Sequence, residues 1–280
     1  MTPITVVDGA FDALSARLHL SVQGDLHKLC YCLLDLDRRR YVALRVVPYP
    51  IDIVDYNDLH KAVQLLLARE ALLNVPLQSV SCCYVSRSAT LLPNELYDAV
   101  SLKQLLEFCA PLNELDELHS GAIVAENAQA IFAIPSPLAD LLARKYSGNV
   151  QFFHQCLPLL NAVPAQHGDN ELLAVSIHHD FADIAFFAQQ QLKLYNTFAL
   201  QSPHDLLYFL LAIARQHNLN ADTVSVVLAG DVGGYAPTLV EFFPILIQAK
   251  PHTTMDFAEA LKPYADHRFA CLFSLYQCAS

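Results

Sequence analysis

Basic residues are scarce in this chain: 17 Lys and Arg stand against 28 Asp and Glu, a net charge of −11 over 280 residues. Nucleic-acid binding needs clustered cations against phosphates, and a polybasic membrane patch needs the same, so the balance argues against both partners. The one basic cluster, "DRRRY" (37–41), fits a solvated hairpin turn. Long hydrophobic runs are missing too. The most apolar segment, "LLYFLLAIA" (206–214), stops at Arg215, well short of the ~20 residues a spanning helix needs. The opening "MTPITVVDGAFDALS" has neither the basic n-region nor the apolar h-region of a signal peptide, so a cytoplasmic location is expected.

Several catalytic signatures are absent. No GxxxxGK[ST], GxSxG, HExxH or GxGxxG occurs, which removes the anchors of P-loop, hydrolase-elbow, zincin and Rossmann readings. The eight cysteines include no CxxC pair with histidines at finger spacing, so no metal site is expected and buried, reduced thiols are. His178 and His179 stand beside Asp180, but adjacent strand residues point to opposite faces and do not readily share a metal. A polar hairpin turn is the simpler reading. His154 and Cys156 lie two apart without an orienting partner, so no thiol chemistry is assigned to them.

What the chain does contain is apolar, strand-forming sequence: 54% hydrophobic, only 16% charged, mean hydropathy +0.30. Strands buried on both faces follow. Their order repeats. "RLHLSVQ" (17–23), "KLCYCLLDL" (28–36) and "YVALRVVPY" (41–49) predict a meander. A helix over 57–70 follows, capped by Asn57 or Asp58, and then a strand, "SVSCCYV" (79–85). "LLAVSIH" (172–178), "DIAFFAQ" (183–189) and "LKLYNTFAL" (192–200) repeat the meander. Ser202 and Pro203 open the next helix, and "TVSVVLAG" (223–230) the next strand. Between the copies, a strand (128–135), a helix capped at Ser136, a strand (150–155) and a short helix (156–163) lead to the polar run "PAQHGDN" (164–170). That run is the expected boundary, giving two α/β units of βββαβ type, 1–165 and 166–280. A terminal helix is expected over "HRFACLFSLYQC" (267–278), docked by Phe269, Leu272, Phe273 and Tyr276.

This order resembles the actin-like ATPase superfamily, a duplicated ribonuclease-H-like fold. Segment 128–243 is similar in layout to the actin-like cytoplasmic proteins of pilus assembly and type II secretion. "ATLLPNELYD" (89–98), "LKLYNTFALQSPHDLLYFL" (192–210) and "HRFACLFSLYQC" further resemble an uncharacterised bacterial family with a degenerate form of that fold. The resemblance implies two glycine-rich hairpin turns that cradle the phosphates of ATP, each with an Asp near the metal. Here the second turn carries His178, His179 and Asp180 where Asp-x-Gly is implied, with Ala182 at the next glycine position. The first turn offers only Gly24. On the implied adenosine side, Gly230, Asp231, Gly233 and Gly234 follow a strand. The expected function is therefore a non-catalytic pseudo-ATPase scaffold that binds an unidentified protein partner, with no cofactor, no catalytic residue and no metal ligand. The alternative is a nucleotide-binding ATPase that uses ATP and Mg²⁺ through divergent residues. A sugar kinase would share the fold but would need the same missing phosphate turns.

Overall fold

A computed structural model describes residues 3–12, 16–97, 102–110, 112–167 and 170–279. Strands β1 (Ile4–Val7), β2 (Leu18–Gly24), β3 (Lys28–Asp35) and β4 (Arg40–Pro48) pair antiparallel. Helix α1 (Tyr56–Arg69) then carries the chain to β5 (Ser79–Tyr84), parallel to β2. The face of α1 formed by Leu59, Ala62, Val63, Leu66 and Leu67 is buried, as its spacing predicts. Its cap is Asp55 rather than Asn57 or Asp58: the Asp55 carboxylate accepts from the Asp58 N–H at 2.9 Å. Asp58 sits in the first turn instead, where negative charge suits the helix dipole.

The chain next builds a small separate sheet from β6 (Ala89–Pro93), β7 (Asp116–Ile123) and β8 (Ala128–Pro135), ordered β6-β8-β7. Helix α2 (Leu102–Cys109) follows β6. Leu92, Leu106, Ala110, Ile131 and Ala133 give it its own apolar core. Helix α3 (Ser136–Lys145) begins at Ser136 with Pro135 as the capping residue, so Ser136 is helical rather than the cap. Strand β9 (Val150–His154) returns to the first sheet, parallel to β5. Helix α4 (Cys156–His167) runs through the start of the polar segment 164–170, of which 168–169 lie outside the described residues.

The second sheet comprises β10 (Leu172–Ile177), β11 (Phe181–Ala188), β12 (Gln191–Ala199), then, after helix α5 (Pro203–Gln216), β13 (Ser225–Gly230). Helix α6 (Ala236–Leu239) precedes β14 (Leu246–Gln248). Its order β12-β11-β10-β13-β14 repeats β4-β3-β2-β5-β9 of the first sheet. The repetition reaches the ladder defects: the register breaks between Leu33 and Leu34 in β3 and between Phe186 and Phe187 in β11, the same place in each strand. Ser202 caps α5 in a capping box with Asp205, as its sequence predicts.

The last segment goes back to the first sheet. Strand β15 (Asp256–Phe257) pairs parallel with β4, and helix α7 (Ala270–Ala279) packs on β2, β3, β5 and α4. A division at 165/166 therefore leaves 256–279 docked on the first unit. One apolar cluster runs through the first sheet, α7 and one face of the second sheet, while α5 covers the other face. Five of the eight cysteines are buried, Cys271 and Cys278 are half-buried, and Cys109 is exposed, which corrects the expectation that all are buried.

Candidate functional site

The duplicated sheets bring the β2–β3 and β10–β11 turns together, because both leave the corresponding ends of corresponding strands. The first turn is held by Asp25, whose Oδ1 accepts from the His27 and Lys28 N–H groups at 2.7 and 2.9 Å. In the second, the His178 N–H donates to the Phe181 carbonyl at 2.9 Å, closing a tight turn over His179 and Asp180. The two tips touch: the rings of His27 and His179 lie 4.1 Å apart, edge to face. The voids flanking that contact measure about 60 Å³ and 190 Å³. Small-molecule sites usually need about 300 Å³ or more.

Beneath the contact is a carboxylate that the sequence reading missed. Asp183 is fully buried, and its Oδ1 accepts from the Thr197 hydroxyl (2.6 Å) and the Tyr195 hydroxyl (3.0 Å), while its Oδ2 faces His178 Nε2 at 3.2 Å. Burial pushes its carboxyl up. The hydrogen bond and charge of His178, with His154 and Thr197, outweigh that and hold it below the usual carboxylate range. The same burial, together with the Asp183 charge, drives the Tyr195 phenol well up, so it stays a donor. His178, at the position where the resemblance implies an Asp, thus turns inward onto a different acid. The available signal was a lone Asp inside the otherwise apolar strand "FADIAFFA": a buried charge needs partners.

His154 and Cys156 lie alongside but do not form a nucleophile pair. His154 Nε2 donates to the Ser86 carbonyl (3.0 Å), and its Nδ1 accepts from the Cys156 N–H (3.3 Å), leaving no ring nitrogen for the thiol. Burial, reinforced by Asp183, pushes the Cys156 thiol well up, away from the reactive thiolate. Among the described residues no three His, Cys, Asp or Glu side chains form a cluster able to hold a metal ion.

The glycines divide into two kinds. Gly24 lies in the β2 ladder, where an added Cβ would press on Leu29 Cδ1 at 3.3 Å and Tyr49 Oη at 3.4 Å. Gly230 has φ +82°, and a Cβ there would sit 2.1 Å from the Ile177 carbonyl oxygen. Strand packing accounts for both. Gly233 and Gly234 have nothing within 4 Å of an added Cβ, so the exposed turn after Asp231 has a steric freedom that its packing does not require. His178, Asp180, Gly230 and Asp231 do converge on the two voids; Gly24, Gly233 and Gly234 stand outside them.

Solved structures share this fold. A Bacteroides thetaiotaomicron protein described as having an actin-like ATPase fold and unknown function is similar over 83% of this chain and 91% of its own, with TM-score 0.74 and 20% identity. A structure described as the PilM–PilN type IV pilus biogenesis complex is similar over 94% of this chain and 98% of its own, with TM-score 0.64 and 11% identity. The fold is the duplicated actin-like, ribonuclease-H-like one. No curated protein matches the sequence. Residues 8–237 match the model of a protein family of unknown function.

Proposed function

We propose, for a chain that belongs to the family described as "Protein of unknown function (DUF3822)", a non-catalytic actin-like protein of the cytoplasm that acts by binding another protein rather than by turning over ATP. The units taken to carry this role are 1–165 and 166–280, with 256–279 docked on the first. The observation that carries the reading is the contact between His27 and His179, 4.1 Å apart where an actin-like ATPase would part its two turns around phosphates. Charge points the same way. Asp180 and Asp25, one on each turn, are acidic, set against Lys28, Arg87 and Arg268 lining the same voids, and a like unit charge about 4 Å from either acid is repelled by roughly 4 kcal/mol at an effective dielectric near 20. That is about a thousandfold in affinity. The neighbour described as a PilM–PilN complex supports a binding role, since it is seen with a protein partner.

A divergent nucleotide-binding ATPase is the second reading. The open Gly233–Gly234 step favours it, because nothing in the packing requires glycine there. Mg–ATP calorimetry with a turnover assay on pure protein separates the two. The scaffold reading expects no binding heat, no phosphate release and no thermal shift, whereas a ligand at ten times its Kd adds about 1.4 kcal/mol of stability. Micromolar binding that is lost on Gly234→Trp would establish the second reading instead.

A further inference from the structure

Two sheet edges share a groove on the face where the small sheet meets the second sheet. Among the described residues β6 pairs only with β8, and β12 only with β11. Between them lies a space of about 730 Å³, lined by Ala89 and Leu91 from β6 and by Tyr195 and Thr197 from β12. The phase of the ladders tells which backbone groups face it. The Ala133 N–H donates to the Ser88 carbonyl (3.1 Å) and the Asn94 N–H to the Asn127 carbonyl (3.0 Å). The even-numbered residues of β6 therefore bond to β8, and Ala89 and Leu91 turn their peptide groups outward. In β12 the Leu200 N–H donates to the Asp180 carbonyl (2.8 Å), which leaves Tyr195 and Thr197 facing out. Accordingly the Thr197 N–H finds only the adjacent Asn196 side chain, at 2.9 Å.

The β12 edge is also held in place. The Tyr195 and Thr197 hydroxyls are fixed on buried Asp183, so their outward peptide groups sit on an anchored strand. At its beginning the edge is closed by Glu126, whose carboxylate accepts from the Leu192 N–H at 2.6 Å. The open stretch to Thr197 spans about 17 Å, room for five or so extended residues. The charged residues lining the groove are Arg87 and Lys193, with no carboxylate, in a chain whose net charge is −11.

We propose that this groove takes an extended acidic segment of a protein partner. The segment adds as a strand along β12, exchanging backbone hydrogen bonds with Tyr195 and Thr197 and placing a carboxylate between Arg87 and Lys193. The site deepens the binding role proposed above and does not depend on whether ATP binds. The test selects a displayed library of random octapeptides on the full chain, then measures synthetic versions of the enriched peptides by fluorescence anisotropy. Enrichment of Asp and Glu among β-forming residues is expected. Binding should weaken at least tenfold with the double variant Arg87→Glu, Lys193→Glu, whose circular dichroism should match wild type, and again when alternate peptide nitrogens are methylated. No enrichment, or binders indifferent to both changes, overturns the site. Concentration-dependent dimers abolished by the double variant would also overturn it, by putting a second copy of the chain in the groove. Calorimetry with Mg–ATP on the same protein stays a separate result, so failure of the peptide site and failure of the scaffold reading are told apart.

Discussion

Acid should unfold this protein through two buried histidines. His154 is fully buried and His19 nearly so, and burial lowers each to about 4. In His154 both ring nitrogens are committed, one as donor to the Ser86 carbonyl and one as acceptor from the Cys156 N–H, so a second proton would meet an N–H. An unfolded histidine titrates near 6.5. Between about pH 6.5 and 4 the unfolded chain therefore binds protons that the native protein refuses, and stability falls as pH falls. At about 1.4 kcal/mol per pH unit, each histidine is worth roughly 3 kcal/mol across the window. Most of that is lost by pH 4.5, about 2.5 kcal/mol each and about 5 kcal/mol for the pair. The Asp183 carboxyl acts in the same direction but at lower pH: its contribution is complete above the ordinary carboxylate range and disappears only as pH falls through its depressed value, below this window. Urea denaturation at pH 7.5 and 4.5 measures the effect. His154→Gln, whose amide keeps a donor and an acceptor but does not titrate, should lose about half as much as wild type. Equal losses in the two proteins would refute the reasoning.

Substitutions at the glycines should separate packing from function. Gly230→Ala forces a left-handed residue and a 2.1 Å approach to the Ile177 oxygen, so a loss of several kcal/mol is expected. Gly233→Ala and Gly234→Ala should stay within about 0.5 kcal/mol, all read from denaturation midpoints. Deleting 267–280 removes Leu272, Phe273 and Leu275, each fully buried, at about 2–5 kcal/mol apiece. The truncated chain should be poorly soluble with a lowered Tm, and an unchanged Tm would refute the docking of α7.

The meanders were legible because their residues alternate or run apolar between turn residues: β10 as 172–177 and β12 as 191–199 fall within two residues of the sequence reading. The pattern fails where burial is partial. β7, "DELHSGAI", mixes charge with half-exposed positions, and the two-residue β15 has too little sequence to signal anything. Both are held by pairing partners distant in sequence, β8 and β4. The site was half legible. Glycine scarcity at 178–182 was plain in the sequence, but the closure of the turns depends on His27 meeting His179 across 152 positions, and no local pattern encodes that distance. Asp183 was overlooked because the strand around it satisfies every rule for a core strand.

The chain crosses between its two sheets twice, outward after α4 and back before β15. A single proteolytic nick after α4 thus yields a carboxyl-terminal piece that ends in a helix buried against the amino-terminal piece. The pieces stay clasped without a covalent link. Co-expressed halves should reconstitute one particle, while either half alone exposes the surface the other had covered.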